Sequence, residues 1–218
     1  MTNDVHDLQH IRSLMDRSTR FLSLSGLSGV SAGAIALLGA FVAHRYIGAH
    51  LDVPREPLTY GEDGTGTSIY WEHMTYLATV ASSVLVLALG SAFWFTWRRS
   101  RKLGHGLFDR TARRMAVNLL IPLAAGGIFC LALLYHGLPG LVPSTTLLFY
   151  GLALLNASKY TLDEVRWLGL SEVVLGLIAA FWIEAGLLFW AIGFGVLHIF
   201  YGGLMYLRHD RRDGRTEP

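Results

Sequence analysis

Cysteine, charge and local catalytic motifs are scarce in this sequence. The one cysteine, Cys130, lies inside an apolar run. An intramolecular disulfide is therefore excluded, and the redox compartment cannot be read from thiols. Only 16% of the 218 residues are charged, against about 25% in a typical soluble domain. The net charge of +2 is too small to point to nucleic acid. No phosphate-binding loop, nucleophile elbow, CxxC pair or catalytic dyad occurs, and GHG at 104–106 is too short to carry meaning. No cleavable signal peptide is expected, because residues 1–20 are polar and charged and the first apolar run is too long for a signal h-region.

What is present is apolar and divided. The chain is 52% hydrophobic, with a mean hydropathy of +0.41. Uncharged or nearly uncharged runs of 17 to 24 residues occur at 21–43, 74–97, 115–135, 141–157, 167–183 and 187–207, about the length that spans a bilayer. They predict an all-α, single-domain polytopic membrane protein, a six-transmembrane-helix bundle. Residues 1–20 read as an amphipathic interfacial helix. Val5, Leu8, Ile11 and Leu14/Met15 recur at helical spacing, and Asp4 is placed to cap it. Residues 208–218 form a charged tail. The loop 44–71, with Pro54, Pro57 and GEDGTGT at 61–67, is expected to be the longest connection. Pro122 predicts a kink in the third span, and HGLPG at 136–140 a tight turn.

Six spans place both termini on one side. Sixteen of the eighteen Lys and Arg residues fall on that side, and only Arg45 and Arg55 on the other. Cytoplasmic N- and C-termini are therefore expected. Aromatic residues gather where two belts belong: Tyr46, Tyr70, Trp71, Tyr135 and Trp182 outside, Trp94, Trp97, Trp167 and Tyr206 inside.

The first run is crowded with small residues. Ser25, Gly29 and Gly33 form one row at four-residue spacing, and Ser28, Ala32, Ala36 and Ala40 a second. Such rows let backbones approach closely in lipid, so this helix is expected to be the central post. Phe21, Leu22, Leu37, Leu38 and Phe41 are left for lipid or larger neighbours. GLSGVSAGAIA at 26–36 also matches GLSEVVLGLIA at 169–179 at seven of eleven positions. A parallel repeat of this kind fits some transporter folds and sets Glu172 where the first span has Gly29.

The run IRSLMDRSTRFLSLSGLSG at 11–29 resembles the start of a group of uncharacterised bacterial six-span inner-membrane proteins. The resemblance covers 19 of the 218 residues. It implies a bacterial inner (cytoplasmic) membrane setting and carries no assigned activity, cofactor or catalytic residue.

Glu172 is the one acidic residue inside a span. Ionisable groups at depth are costly and usually face a bundle interior or water. Gly169, Glu172 and Gly176 share a helix face, and span six repeats the pattern with Gly195, His198 and Gly202. Glu172 and His198 differ in level by about 6 Å, which tilt or a bridging water can close. Asn156 and Lys159 end span four at a similar depth, so Lys159 is a competing partner for Glu172. These four residues are candidates for handling a proton or substrate; the alternative is a buried polar clasp locking spans four, five and six.

On the outer side His44, His73 and His136 fall at one interface, with Glu72 beside them and Glu184 nearby. Three imidazoles and a carboxylate could take zinc or copper, though no tight ligand spacing supports this, and ordinary interfacial histidines with no cofactor are the favoured reading. Haem is disfavoured, since His198 has no intramembrane histidine mate. The basic segment 98–114, led by Arg98, Arg99, Arg101 and Lys102, suits anionic lipid head groups at the cytoplasmic face or serves topology alone. Partners are otherwise the bilayer and a second copy of the chain. Three functions stay open: a small transporter, channel or solute-binding membrane protein; a non-catalytic scaffold, sensor or accessory subunit; and a membrane-embedded, metal-dependent enzyme.

Overall fold

In the computed structural model, the described residues are 24–50, 65–103 and 110–211. The amphipathic segment expected over 1–20, Phe21 and Leu22, and most of the charged tail lie outside them. Among the described residues the chain is helical throughout and no strand occurs. Label α1 runs over Gly26–His50, α2 over Thr65–Leu103, α3 over Arg110–Tyr135, α4 over Val142–Ala157 and α5 over Asp163–Phe181. The last helix begins as α6, Gly186–Trp190, passes through a π-helical stretch at Ala191–Leu197, continues as α7, His198–Met205, and ends in a second π-helical stretch at Tyr206–Asp210.

Five of these segments are long and apolar enough to cross a membrane: Gly26–His50, Trp71–Arg101, Arg110–Tyr135, Pro139–Tyr160 and Ile183–Asp210. Their outward surface is apolar, with Leu85, Val86, Leu89 and Phe93 exposed on α2 and Leu120, Ile121, Ile128 and Leu131 on α3. A water-soluble monomer rarely shows so continuous an apolar surface. The remaining helix, α5, has 19 residues. Asp163, Glu164 and Arg166 near its start and Glu172 in its middle make it the most densely charged of the long helices.

Apart from α2 and α3, successive helices are neighbours. Ser31 meets Ser91 across α1 and α2 at 3.1 Å, and Tyr46 meets His73 at the far end of the same pair at 2.8 Å. Asn118 meets Asn156 across α3 and α4. The α1 helix also lies against the last helix, and α5 lies against both α4 and the last helix. The order across the bundle is thus α2, α1, last helix, α5, α4, α3, with α2 and α3 at the flanks. The deepest burial sits where α4, α5 and the last helix meet: Leu147 and Glu172 are wholly inaccessible. The central post expected of α1 is therefore displaced: α1 is an inner helix at one side, and α4 is more buried. Small residues permit close approach on one face, whereas a central helix must be covered on all of them, and Leu38 and Phe41 of α1 remain exposed.

The small-residue row works as expected where it is covered. A Cβ on Gly29 would lie 3.1 Å from Gly202 Cα, and one on Gly33 would lie 2.6 Å from Gly195 O. Leu37, expected toward lipid or a large neighbour, packs instead on Gly195. The echo at 169–179 uses its glycines differently: Gly169 and Gly176 pack against α4, not the last helix.

Two connections differ in outcome. The HGLPG turn forms as the spacing predicts. Gly137 has φ of +70°, Leu138 N–H donates to Leu133 O at 2.8 Å and Gly137 N–H to Leu134 O at 3.1 Å. This is the glycine-closed helix end in which Pro139 follows naturally. The loop expected over 44–71 is shorter than that, because α1 continues to His50 and α2 starts at Thr65. Stacking of Tyr46 on Tyr76, with ring centroids 3.8 Å apart, holds the two extensions together. Interior Pro122 does not end α3, which is continuous through it.

Candidate functional site

The candidate site lies in the core where α4, α5 and the last helix meet. Glu172 projects from α5 and is 0% exposed; His198 stands at the start of α7 and is 6% exposed. Their contact is direct, with His198 Nδ1 3.4 Å from Glu172 Oε1. No bridging water is needed to span the level difference read from the sequence. Lys159 does not compete. It is exposed at the end of α4, where Nζ donates to Asn156 Oδ1 at 3.1 Å, while Asn156 Nδ2 donates to Asn118 O on α3 at 2.9 Å. Asn156 and Lys159 thus tie α3 to α4, away from Glu172. Helix phase explains it: Asn156 is six residues past Tyr150, about 240° around the helix from the residue that faces the core.

Tyr150 of α4 is the member that sequence reasoning missed. Its hydroxyl lies 2.8 Å from His198 Nε2. The imidazole is layered with the rings of Tyr150 at 5.3 Å and Phe194 at 5.8 Å. Its signal was available: a tyrosine in mid-span, remote from either interfacial belt, must find a partner for its hydroxyl. Tyr201 on α7 follows the same rule and meets Ser171 of α5 at 3.2 Å.

The π-helical stretch positions the histidine. His198 Nδ1 lies 3.0 Å from Gly193 O, five residues back. A carbonyl only accepts, so Nδ1 carries a proton and gives it to Gly193 O, with the Glu172 carboxylate beside it at ion-pair distance. Nε2 then accepts from the Tyr150 hydroxyl when the ring is neutral, or donates to it when the ring is an imidazolium. The extra residue per turn in the π segment also shifts the helix phase. Gly195 and Gly202 meet α1, while the His198 ring turns to α4 and α5. Gly195 and Gly202 therefore serve the α1 contact and the His198 side chain the α4–α5 core. Gly193 faces Glu172 closely: a Cβ there would lie 2.5 Å from Oε2.

Neither carboxylate oxygen of Glu172 has a hydrogen-bond partner among the described residues. Burying a carboxylate without hydrogen bonds is costly, and such orphans in a native core call for a specific explanation. The arrangement offers a chain of three proton-bearing groups, Glu172, His198 and Tyr150, that links three helices.

At the end of the bundle where α1 starts and the last helix finishes, Arg99 is not a surface arginine. Its guanidinium donates to Leu24 O at 2.6 Å and bonds the Asp210 carboxylate. Asp210 also accepts from Ser25 Oγ and Gly26 N–H, both at 3.1 Å, and so caps α1. Ser25, expected as a packing residue, therefore also anchors this staple. Arg98 is exposed, and Arg101 lies over the Trp97 ring, 4.1 Å from its centroid. The side chain of Lys102 lies outside the described residues. Glu164, at the start of α5, is nearly buried and faces Arg208 at 3.3 Å and His209 at 3.7 Å.

The candidate metal ligands His44, His73, His136 and Glu72 are not brought together. His44 is exposed on α1, and His136 ends α3 on the far side of the bundle with its ring edge-on to Tyr135. Glu72 is exposed, while His73 bonds Tyr46. Among the described residues no group of three or more His, Cys, Asp or Glu is gathered closely enough to hold a metal ion. The geometric cause is that α1 and α3 are not neighbours.

Comparison of the chain with protein-family models, with curated proteins and with solved structures found no match.

Proposed function

We propose that this chain is a six-span protein of the bacterial inner membrane, with cytoplasmic termini, that works as a small proton-coupled transporter. Glu172 and His198 are its proton-carrying pair, and Tyr150 extends the chain of groups. The six-span count draws support from α5: 19 residues at about 1.5 Å each reach about 28 Å, close to the thickness of the hydrocarbon layer. Its central carboxylate turns inward, as ionisable residues in membranes do. The orientation draws support from the sixteen-to-two distribution of Lys and Arg.

The observation that carries the function is the orphan carboxylate. A group retained only for strength would have its oxygens satisfied, since an unsatisfied buried acceptor weakens the fold. Glu172 is fully buried, unsatisfied on both oxygens, and set against a histidine, a side chain that can both take and give a proton. That combination suits a residue that takes up and gives up a proton.

One specific feature favours a second reading, a scaffold or accessory subunit in which the pair is a clasp: Glu172 has no exposure at all, and Gly193 closes over it. Proton flux into proteoliposomes under an imposed potential, read by an internal pH dye, separates the two. Proton-coupled transport predicts that Glu172→Gln abolishes flux and melts within a few degrees of wild type. A clasp predicts no flux in wild type and a large loss of melting temperature in Glu172→Gln.

A further inference from the structure

The outer end of the α1–α2 hairpin carries a pair of imidazoles that the sequence reading did not join. His50 closes α1 and His73 stands in the early part of α2. Their ring centroids are 6.2 Å apart. Both rings are organised by one residue, Tyr46. His50 Nδ1 lies 3.1 Å from the Tyr46 carbonyl oxygen, and His73 Nδ1 lies 2.8 Å from the Tyr46 hydroxyl. Tyr46 is itself stacked on His50 at 4.4 Å and on Tyr76 at 3.8 Å.

That pattern is the one imidazoles adopt around a metal. A ligating histidine nearly always gives its other ring N–H to a carbonyl, carboxylate or similar acceptor, which fixes the tautomer and leaves a lone pair for the metal. The carbonyl can only accept, so His50 carries its proton on Nδ1 and presents Nε2 as a free donor of electrons. The Tyr46 hydroxyl can accept from His73 Nδ1–H in the same way. Spacing selects the metal. With a metal–nitrogen distance of about 2.0 Å, a ring centroid stands about 3.2 Å from the ion, so two rings can share one ion only up to about 6.4 Å apart. The observed 6.2 Å is inside that reach, but only with the two nitrogens nearly opposite each other. Zinc asks for four tetrahedral ligands, and no third histidine, cysteine or carboxylate joins the pair among the described residues. The d10 ion that is satisfied by two imidazole ligands is cuprous copper, or silver in its place.

We infer that His50 and His73, held by Tyr46, form a two-coordinate site for a monovalent d10 cation, cuprous copper, at the outer mouth of the α1–α2 pair. This site is separate from the Glu172–His198 core, and neither depends on the other. Coordination needs no redox step: two neutral imidazoles donate to Cu(I) and displace only water.

The test uses the purified full chain in detergent with Cys130 replaced by Ala to remove the thiol. Cuprous copper is titrated anaerobically against a chromogenic chelator, and silver ion by calorimetry. One equivalent is expected, with X-ray absorption showing two nitrogen neighbours. His50→Ala and His73→Ala should each weaken binding at least tenfold, and Tyr46→Phe several-fold, while all three melt like the parent. His136→Ala should bind like the parent. One-equivalent binding that survives in the His50→Ala/His73→Ala double variant would overturn the assignment, as would binding of zinc but neither copper nor silver, or loss of binding in His136→Ala alone.

Discussion

Removing Asp210 should unfasten the end of the bundle where α1 starts. This one carboxylate accepts from Ser25 Oγ, from the first N–H of α1 at Gly26, and from Arg99 of α2. It thus joins three helices, and both charged side chains are only 11% exposed. Deleting one partner of a buried ion pair costs about 3–5 kcal/mol, because the other charge is left uncompensated. Some water access remains, so the low end, about 3 kcal/mol, is the better expectation for Asp210→Ala. At about 2–4 °C per kcal/mol for a chain near this length, melting should fall by about 6–12 °C. Asp210→Asn keeps an acceptor for Ser25 and Gly26 but loses the charge, and should fall about half as far. The assay is thermal melting in detergent of Asp210→Ala, Arg99→Ala and the double variant. The double should cost clearly less than the sum of the singles, since both deletions remove the same ion pair. Singles that melt like wild type, or a double equal to their sum, would refute this account of the staple.

Other expectations follow from single contacts. Gly29→Leu and Gly33→Leu should each cost about 1–3 kcal/mol, since the new side chain must displace the last helix. Gly127→Ala, where nothing lies within 4 Å, should melt unchanged or slightly higher. Leu37→Ala should be destabilising too, by about 2 kcal/mol, because Leu37 fills the space over Gly195. Tyr150→Phe removes the hydroxyl from His198 Nε2 and should cost about 1 kcal/mol, read by the same melts. In a Cys130→Ser background, an impermeant thiol reagent should label a cysteine at Gly64 and not one at Gly104 in intact cells; the reverse pattern would invert the orientation.

The sequence made the helical class and most element positions legible, because uncharged runs of bilayer length have few other uses. It also showed Glu172 and His198 as the two polar intruders. Their partners were less legible. Depth alone cannot separate Lys159 from His198 as the mate of Glu172; helix phase does, and the phase of the last helix is altered by a π-helical stretch that apolar periodicity does not announce. Arg99 read as a head-group residue because positive charge beside a span usually is one. Its partner Asp210 is 111 positions away in the chain, and only the packing of the last helix on α1 brings them together. The outer histidines read as one set because they share a level, yet level fixes only one coordinate. His44 and His136 sit on helices that do not touch, whereas His50, beyond the expected end of the first span, reaches His73.

The central claim is that Glu172 takes up a proton inside the membrane, and a hydrophobic carbodiimide tests it directly. Such reagents enter the bilayer and react with protonated carboxyl groups in apolar surroundings, giving a stable adduct that peptide mass spectrometry can locate. The account predicts an adduct on Glu172 in native membranes, formed more slowly as pH is raised because the reactive protonated form is depleted. It also predicts no adduct on the corresponding peptide of Glu172→Gln. Folded wild-type protein whose Glu172 stays unmodified across the whole pH range would contradict the claim and leave the carboxylate as a clasp.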